Sequence, residues 1–395
     1  MSAFIGRLLN VGLGKESTRG TAVAATAWMP KTDFSVEAKV DVAVVDQSMG
    51  IIEDAITQEV VKKYATLDIS GVASDIRLGN LLMAAFGTDT VGAVETGVKD
   101  HVFTILESAQ HPSYTIVVSE PNASGSSSLN YTLAMLSSLE INIAVGQFAT
   151  FKASYSANIG TPASSTPSFA AENFFNPLYC SVQVAPTYTG VAGTLTATGT
   201  ALSTVNVTAC SINPQTNLRV GMGVTGTNVP AGTTISAIVS STAFTLSAAT
   251  TGAVGTMTFT PATINVRSAK ITINKNTEDD TTVGNLSPID RYNNQFVVEG
   301  EMVLVYQDRS WIDTYMVGDT LTGMRILCKN TGVTIGATSN PTLTIDLAKV
   351  KITEIARTNK NDDIMLQTIK FKAFYSITDT LMIKATLRNT QATTY

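Results

Sequence analysis

Histidine is almost missing from this sequence. There are two, His101 and His111, among 395 residues. Neither has an acidic or cysteine neighbour at metal-ligand spacing, which excludes a histidine-based triad and a histidine-rich metal centre. Cysteine is scarce as well: Cys180, Cys210 and Cys328 are odd in number, widely spaced and without a CxxC pair. Neither a zinc site nor a disulfide framework is readable, and buried small hydrophobes in a reducing compartment are expected. Charge is thin, at 14% of residues against about 25% in an ordinary soluble domain. The 26 basic residues are outnumbered by 31 acidic ones and nowhere cluster, so the patch that grips phosphates is absent. No apolar run approaches the ~20 residues of a membrane helix. Met1–Gly14, broken by Arg7, lacks the pattern of a secretory signal.

What is abundant is Thr, Ser, Ala, Gly and Val. β-branched side chains pack on a pleated surface and small polar ones fill turns, so the composition points to a mainly β structural protein. Its length allows two or three domains. Leu67 and Ile69 alternate with polar neighbours, period two. Ser74 or Asp75 can cap a helix carrying Leu78, Leu81, Leu82, Ala85 and Phe86, with Gly87 as its stop. Tyr114–Val118 reads as a strand, and Leu139–Val145 with Phe151–Tyr155 as a long hairpin turning at Gly146-Gln147. The last segment repeats the order. Ile271 and Ile273 alternate, Val297–Tyr306 is a strand, and Asp308 can cap a helix with Trp311, Ile312, Tyr315 and Met316, ended by Gly318. Leu321–Leu327 follows, then a hairpin from Leu343–Ile352 through Asn359–Asp363 to Ile369–Tyr375. This shared order reads as an internal duplication of one module.

Between the halves, Arg219 is the single charged residue from Thr187 to Ile264. Short β-branched runs separated by Gly, Pro and Asn turns predict a small all-β sandwich. The expected division is 1–190, first module; 191–262, insert; 263–395, second module. Two acidic stretches read as long loops: Pro30–Thr57, with Asp41, Asp46, Glu53 and Asp54, and Asn276–Asn294, with Glu278, Asp279, Asp280 and Asp290. Loops of such length are usually functional.

No catalytic or cofactor-binding constellation emerges. Gly221–Gly226 spells GxGxxG, but Asn228-Val229-Pro230 follows where a dinucleotide site needs a helix. Gly14-Lys15-Glu16-Ser17 has Glu where a phosphate loop needs Ser or Thr. The paired carboxylates Asp279-Asp280 and Asp362-Asp363 sit in turn-like contexts. Neither an enzyme nor a cofactor is expected. Long alternating hairpins leave strand edges that template pairing with another chain, and head-to-tail pairing closes rings or builds filaments.

Several stretches, taken in order, resemble tail tube proteins of siphophages. They are Gly14-Lys15-Glu16-Ser17-Thr18-Arg19-Gly20-Thr21-Ala22, Trp28-Met29-Pro30, Ile69-Ser70-Gly71, Ala134–Glu140, Ile273–Asp280, Asn294–Val298, Ile345–Val350 and Phe371–Ser376. The resemblance spans both outer segments. It implies two tail-tube-type β-sandwich modules, each with one flanking α-helix, whose long hairpin strands join neighbours into an intersubunit β-barrel. A ring usually holds six modules, so it implies a homotrimeric ring with pseudo-sixfold symmetry, or a homohexamer, stacked through the acidic loops. The insert resembles Ig-like domains that project from phage tails. Tape measure, tail terminator and distal tail proteins are the implied partners, with no membrane partner. The resemblance also implies that DNA passes through without specific binding. The implied location is the virion tail, assembled in the bacterial host cytoplasm. Candidate lumen-facing residues are Glu140, Asn142, Glu299, Glu301 and Thr353. The alternative is a decoration or adhesin protein that binds a host surface through the Thr-rich insert. An outer-membrane barrel also alternates, but aromatic girdles are absent.

Overall fold

Strands dominate the computed structural model, which describes residues 4–395 apart from 51, 53, 123–124, 194, 308, 310, 318–321 and 359–361. The first half contributes β1 (Asn10–Lys15), β2 (Ala27–Met29), β3 (Asp33–Val45), β4 (Thr57–Val72), helix α1 (Arg77–Phe86), β5 (Thr90–Glu95), β6 (Val98–Thr104), β7 (Tyr114–Asn122), β8 (Gly125–Ala144), β9 (Thr150–Ala157) and β10 (Thr161–Ala163). Helix α1 lies where the apolar stripe predicts it, with Leu78, Leu81, Leu82, Ala85 and Phe86 buried. The Ser74 hydroxyl accepts the Arg77 N–H at 3.2 Å. Gly87 ends the helix at φ 88°, a left-handed conformation that favours glycine.

Strand β8 is long enough to serve two sheets. Its first part lies between β7 and β10 in a back sheet ordered β2-β1-β7-β8-β10. Its last part joins a front sheet ordered β3-β4-β9-β8. The change of direction falls near Leu133, at φ 50°, and at a register shift between Leu136 and Ser138. Bulges of this kind re-aim a strand.

After β11 (Cys180–Ala185) and the short helix α2 (Tyr188–Ala192) comes the insert. It comprises β12 (Thr196–Thr198), β13 (Asn206–Val207), the turn of helix α3 (Pro214–Asn217), β14 (Gly223–Gly226), β15 (Ile235–Ser240), β16 (Ala243–Leu246) and β17 (Thr256–Thr260). Two small sheets, β12-β17-β14 and β13-β16-β15, enclose a core of their own that includes Val207, Met222, Ile235, Phe244 and Phe259. The GxGxxG string places Gly221 at a positive φ and then enters β14, with no helix behind it.

The second half contributes β18 (Ala262–Ile264), β19 (Val266–Asn274), β20 (Thr277–Asp280), β21 (Asp290–Asn293), β22 (Val297–Val305), β23 (Thr322–Lys329), β24 (Thr342–Thr358), β25 (Leu366–Phe374) and β26 (Ile383–Asn389). Its pairings repeat those of the first half. The back sheet runs β18-β11-β23-β24-β26 and is extended by β6 and β5. The front sheet runs β19-β22-β25-β24. One hydrophobic core runs through both halves.

A shared packing device supports the equivalence. Gly71 on β4 faces Phe151 on β9, and Gly300 on β22 faces Phe371 on β25. A Cβ at Gly71 would lie 2.8 Å from the Phe151 ring, and one at Gly300 would overlap the Phe371 ring and meet the Lys270 carbonyl at 2.7 Å. Each ring covers a glycine on the neighbouring strand. Gly300→Val is therefore expected to destabilise the protein by about 1–3 kcal/mol through overpacking, read as a lower urea midpoint.

Two expectations need correction. Pro30–Thr57 and Asn276–Asn294 are not loops throughout. The first contains the 13-residue β3, with Asp46 and Asp54 in the connection beyond it, and the second contains β20 and β21, so each half extends a hairpin arm. Charged residues on the exposed face of a hairpin mimic loop composition. The helix expected after Asp308 is a wider π-type coil, Trp311–Val317, in which Trp311 and Tyr315 stack with centroids 4.6 Å apart. Asp308 and Gly318 lie outside the described residues.

Candidate assembly surface

The two front sheets are joined within the chain. Strand β8 pairs antiparallel with β19, from Ser138 opposite Asn274 to Ala144 opposite Ser268. The front sheet thus runs continuously β3-β4-β9-β8-β19-β22-β25-β24, and among the described residues it does not close. At one end β3 pairs only with β4. At the other, Ile352–Thr358 pairs only with β25.

One face of this sheet is core and the other is polar, as period-two alternation requires. Glu140 and Glu299 both stand opposite Thr272, while Asn142 and Glu301 both stand opposite Lys270. Four candidate residues from distant parts of the chain thus share two neighbouring rows of the polar face. Thr353 lies apart, at a bulge in β24, with its hydroxyl donating to the Lys370 carbonyl at 3.3 Å. Carboxylates on this face are interleaved with lysines: Asp68–Lys152 at 3.6 Å, Glu140–Lys270 at 3.5 Å, Glu299–Lys372 at 3.2 Å and Glu354–Lys370 at 2.9 Å. The local balance is close to neutral rather than strongly acidic.

The arms differ sharply. In the second, β20–β21, Asp279 and Asp290 turn inward while Glu278 is exposed. Arg291, fully buried, pairs with Asp279 at 2.6 Å and donates to the Leu133 carbonyl at 2.9 Å and to Asn158 Oδ1 at 3.1 Å. Lys62 also reaches Asp279, at 2.7 Å. Arg19 pairs with Asp290 at 2.6 Å, and Gln110 donates to the same carboxylate. Burial works against ionisation of Asp290, but hydrogen bonds from Arg19 and the Arg291 N–H outweigh it and hold its pKa below the usual value. Asp280 accepts from the Tyr292 hydroxyl, and Glu278 from Asn294. The arm is thereby fastened to the first half. In the first arm, by contrast, Asp41, Asp46 and Asp54 are exposed. Glu53 lies outside the described residues.

Several residues that organise this surface carry no motif. Lys275, completely buried, donates from Nζ to the Ala84 carbonyl near the end of α1 at 2.9 Å, linking the first-half helix to the second-half hairpin. Burial, with Arg19 nearby, pushes its pKa down to about 7. His111 is buried beside it and bonded to the Leu106 carbonyl at 2.8 Å. Burial, helped by Lys275 and Arg19, lowers its pKa to about 4. His101 is also buried, against Asp89 at 2.9 Å. Glu16, the residue that spoils the phosphate-loop string, accepts hydrogen bonds from Gly20 N–H, Ser113, Thr115 and the Leu133 N–H. It braces the bend of β8. The signal that could have exposed the repeat at this level is Phe151-Lys152-Ala153-Ser154-Tyr155-Ser156 against Phe371-Lys372-Ala373-Phe374-Tyr375-Ser376.

Among the described residues, no helix is long and apolar enough to cross a membrane. No group of three or more His, Cys, Asp or Glu side chains among them is placed to hold a metal ion. A scan against protein-family models and a search of curated proteins both found no match to this sequence.

Proposed function

We propose that this chain is the structural subunit of the tail tube of a long-tailed bacteriophage, with three copies closing a ring and rings stacking into a conduit for DNA. One observation carries the reading. The β8–β19 joint unites two equivalent four-stranded sheets, and the strands equivalent to its two sides, β24 and β3, are the open edges of the same sheet. Ile141 and Ile352 occupy matching positions because each faces its half's Phe, Phe151 or Phe371. Carrying the register of the internal joint onto the open edges sets Lys351 opposite Asp33 and Glu354 opposite Lys31 of a second copy. Both pairs are of opposite charge, as a stable cross-strand contact prefers. Repetition of one heterologous joint closes a ring when the rotation matches.

In such a ring the polar face of the front sheet lines the channel. Its lysines are interleaved with carboxylates, so they offer no run of cations to hold phosphates. Native mass spectrometry and electron microscopy of the purified protein test the reading. Rings of three copies, alone or stacked into tubes, are expected. A monodisperse monomer at every concentration and salt would sink it.

A further inference from the structure

We infer that the β3–β4 arm of one copy packs its apolar face over the second half of the neighbouring copy in the same ring, against the surface marked by Tyr375 and Ile377. The inference rests on the ring reading above and specifies a contact that strand pairing alone does not require.

The first observation is an alternation with nothing to cover it. Along β3, Phe34, Val36, Ala38, Val40, Val42 and Val44 share one face, with Glu37, Lys39 and Asp41 on the other. Phe34 and Val36 pack against the core, but Val40, Val42 and Val44 are 54%, 41% and 53% exposed. Val60, opposite Val42 on β4, is exposed as well. Such a pattern belongs to a hairpin with one buried face, and a contiguous apolar strip left in solvent marks a contact surface.

The second observation is the cover that the other arm already provides. Counted from Gly71 and Gly300, Asp279 falls at the place of Val40 along the first strand of the arm and its partner Arg291 at the place of Lys62 along the second, one step from Lys63, which is Val40's own partner. The β20–β21 arm lies on the first half, where Arg291 reaches the β8 bend at Leu133 and the end of β9 at Asn158. On that half Tyr155 is 1% exposed and Ala157, which precedes Asn158, is 0% exposed. Their counterparts in the second half are Tyr375, 50% exposed, and Ile377, 86% exposed. Lys62 and the Lys63 N–H tie one side of the β3–β4 arm to the other arm, but its valine face has no cover, and the second half has an equivalent surface without an arm. A second copy supplies both at once. The internal contact is polar, centred on buried Arg291, whereas the contact between copies is apolar, valine against Tyr375 and Ile377.

The test uses the full chain. Val42→Lys with Val44→Lys should raise the protein concentration needed for ring formation by about tenfold or more, with an unchanged thermal midpoint of the monomer. A disulfide trap fixes the partner. Val42→Cys with Ile377→Cys should give covalent multimers on a non-reducing gel after mild oxidation of assembled protein, and neither single variant should. Multimers from Val42→Cys with Leu178→Cys instead, at the opposite end of the front sheet, would assign the arm to the next ring and overturn the inference. So would wild-type-like assembly of the double lysine variant. Failure of the wild type to form rings would remove the ring reading itself.

Discussion

Arg291→Ala is expected to lower the unfolding free energy by about 3 kcal/mol, the scale set by breaking a buried ion pair. The guanidinium is fully buried and holds Asp279, the Leu133 carbonyl and Asn158 together. Truncation strands the acceptors at Leu133 and Asn158 without their donor, and an unsatisfied buried acceptor costs more than the net value of the bond it lost. Burial already costs this residue, lowering its pKa, while Asp279 acts in the opposite direction. Arg291→Met with Asp279→Asn removes both charges and keeps the packing volume, so it should recover part of the loss. Urea titration of the three proteins checks this. An alanine variant within about 0.5 kcal/mol of wild type, the range of ordinary surface substitutions, would mean that the arm is not fastened as described.

Reversing the charges on the β3 edge, Lys31→Glu with Asp33→Lys, should affect assembly while sparing the fold. Asp33 is exposed and Lys31 only partly buried, and the Lys31 ammonium donates to the Gly6 carbonyl at 3.3 Å. In the proposed joint the variant sets a carboxylate at position 31 against Glu354 and an ammonium at position 33 against Lys351. Two favourable cross-strand pairs become two like-charge pairs, a change of about 2 kcal/mol per joint, or about thirtyfold in joint affinity. Combining it with Lys351→Glu and Glu354→Lys restores opposite charges and should restore rings. Sedimentation velocity reads both outcomes. Unchanged assembly of the edge variant would show that these edges do not meet in this register.

Helix α1 was fully legible: five apolar residues at helical spacing and a glycine stop leave little choice to the backbone. The hairpins β8–β9 and β24–β25 were equally plain, since period two admits one face for the core. The arms were missed because Asp41, Asp279 and Asp290 look like loop residues, although Val36, Val40, Val42 and Val44 carried the strand period. The π-type coil at Trp311–Val317 was read as an α-helix because residues four apart share a face in both.

Most of the candidate surface was out of reach of pattern. Glu140, Asn142, Glu299 and Glu301 could be assigned to polar faces but not to each other. Nothing along the chain announces that Lys275 sits beneath α1, or that Cys180 stands opposite Cys328 on neighbouring strands.

By itself the sequence determined the β class, the alternation that sorts each strand into a wet and a dry side, and the order of elements that occurs twice. The tertiary structure decided which strands meet: β8 with β19 inside the chain, β3 and the end of β24 left open, one arm packed on the first half and the other with its valine face uncovered. Side-chain period fixes the face of a strand, whereas its neighbour is chosen through backbone hydrogen bonds that are the same for almost every residue. Only the folded chain shows which of those bonds are already made.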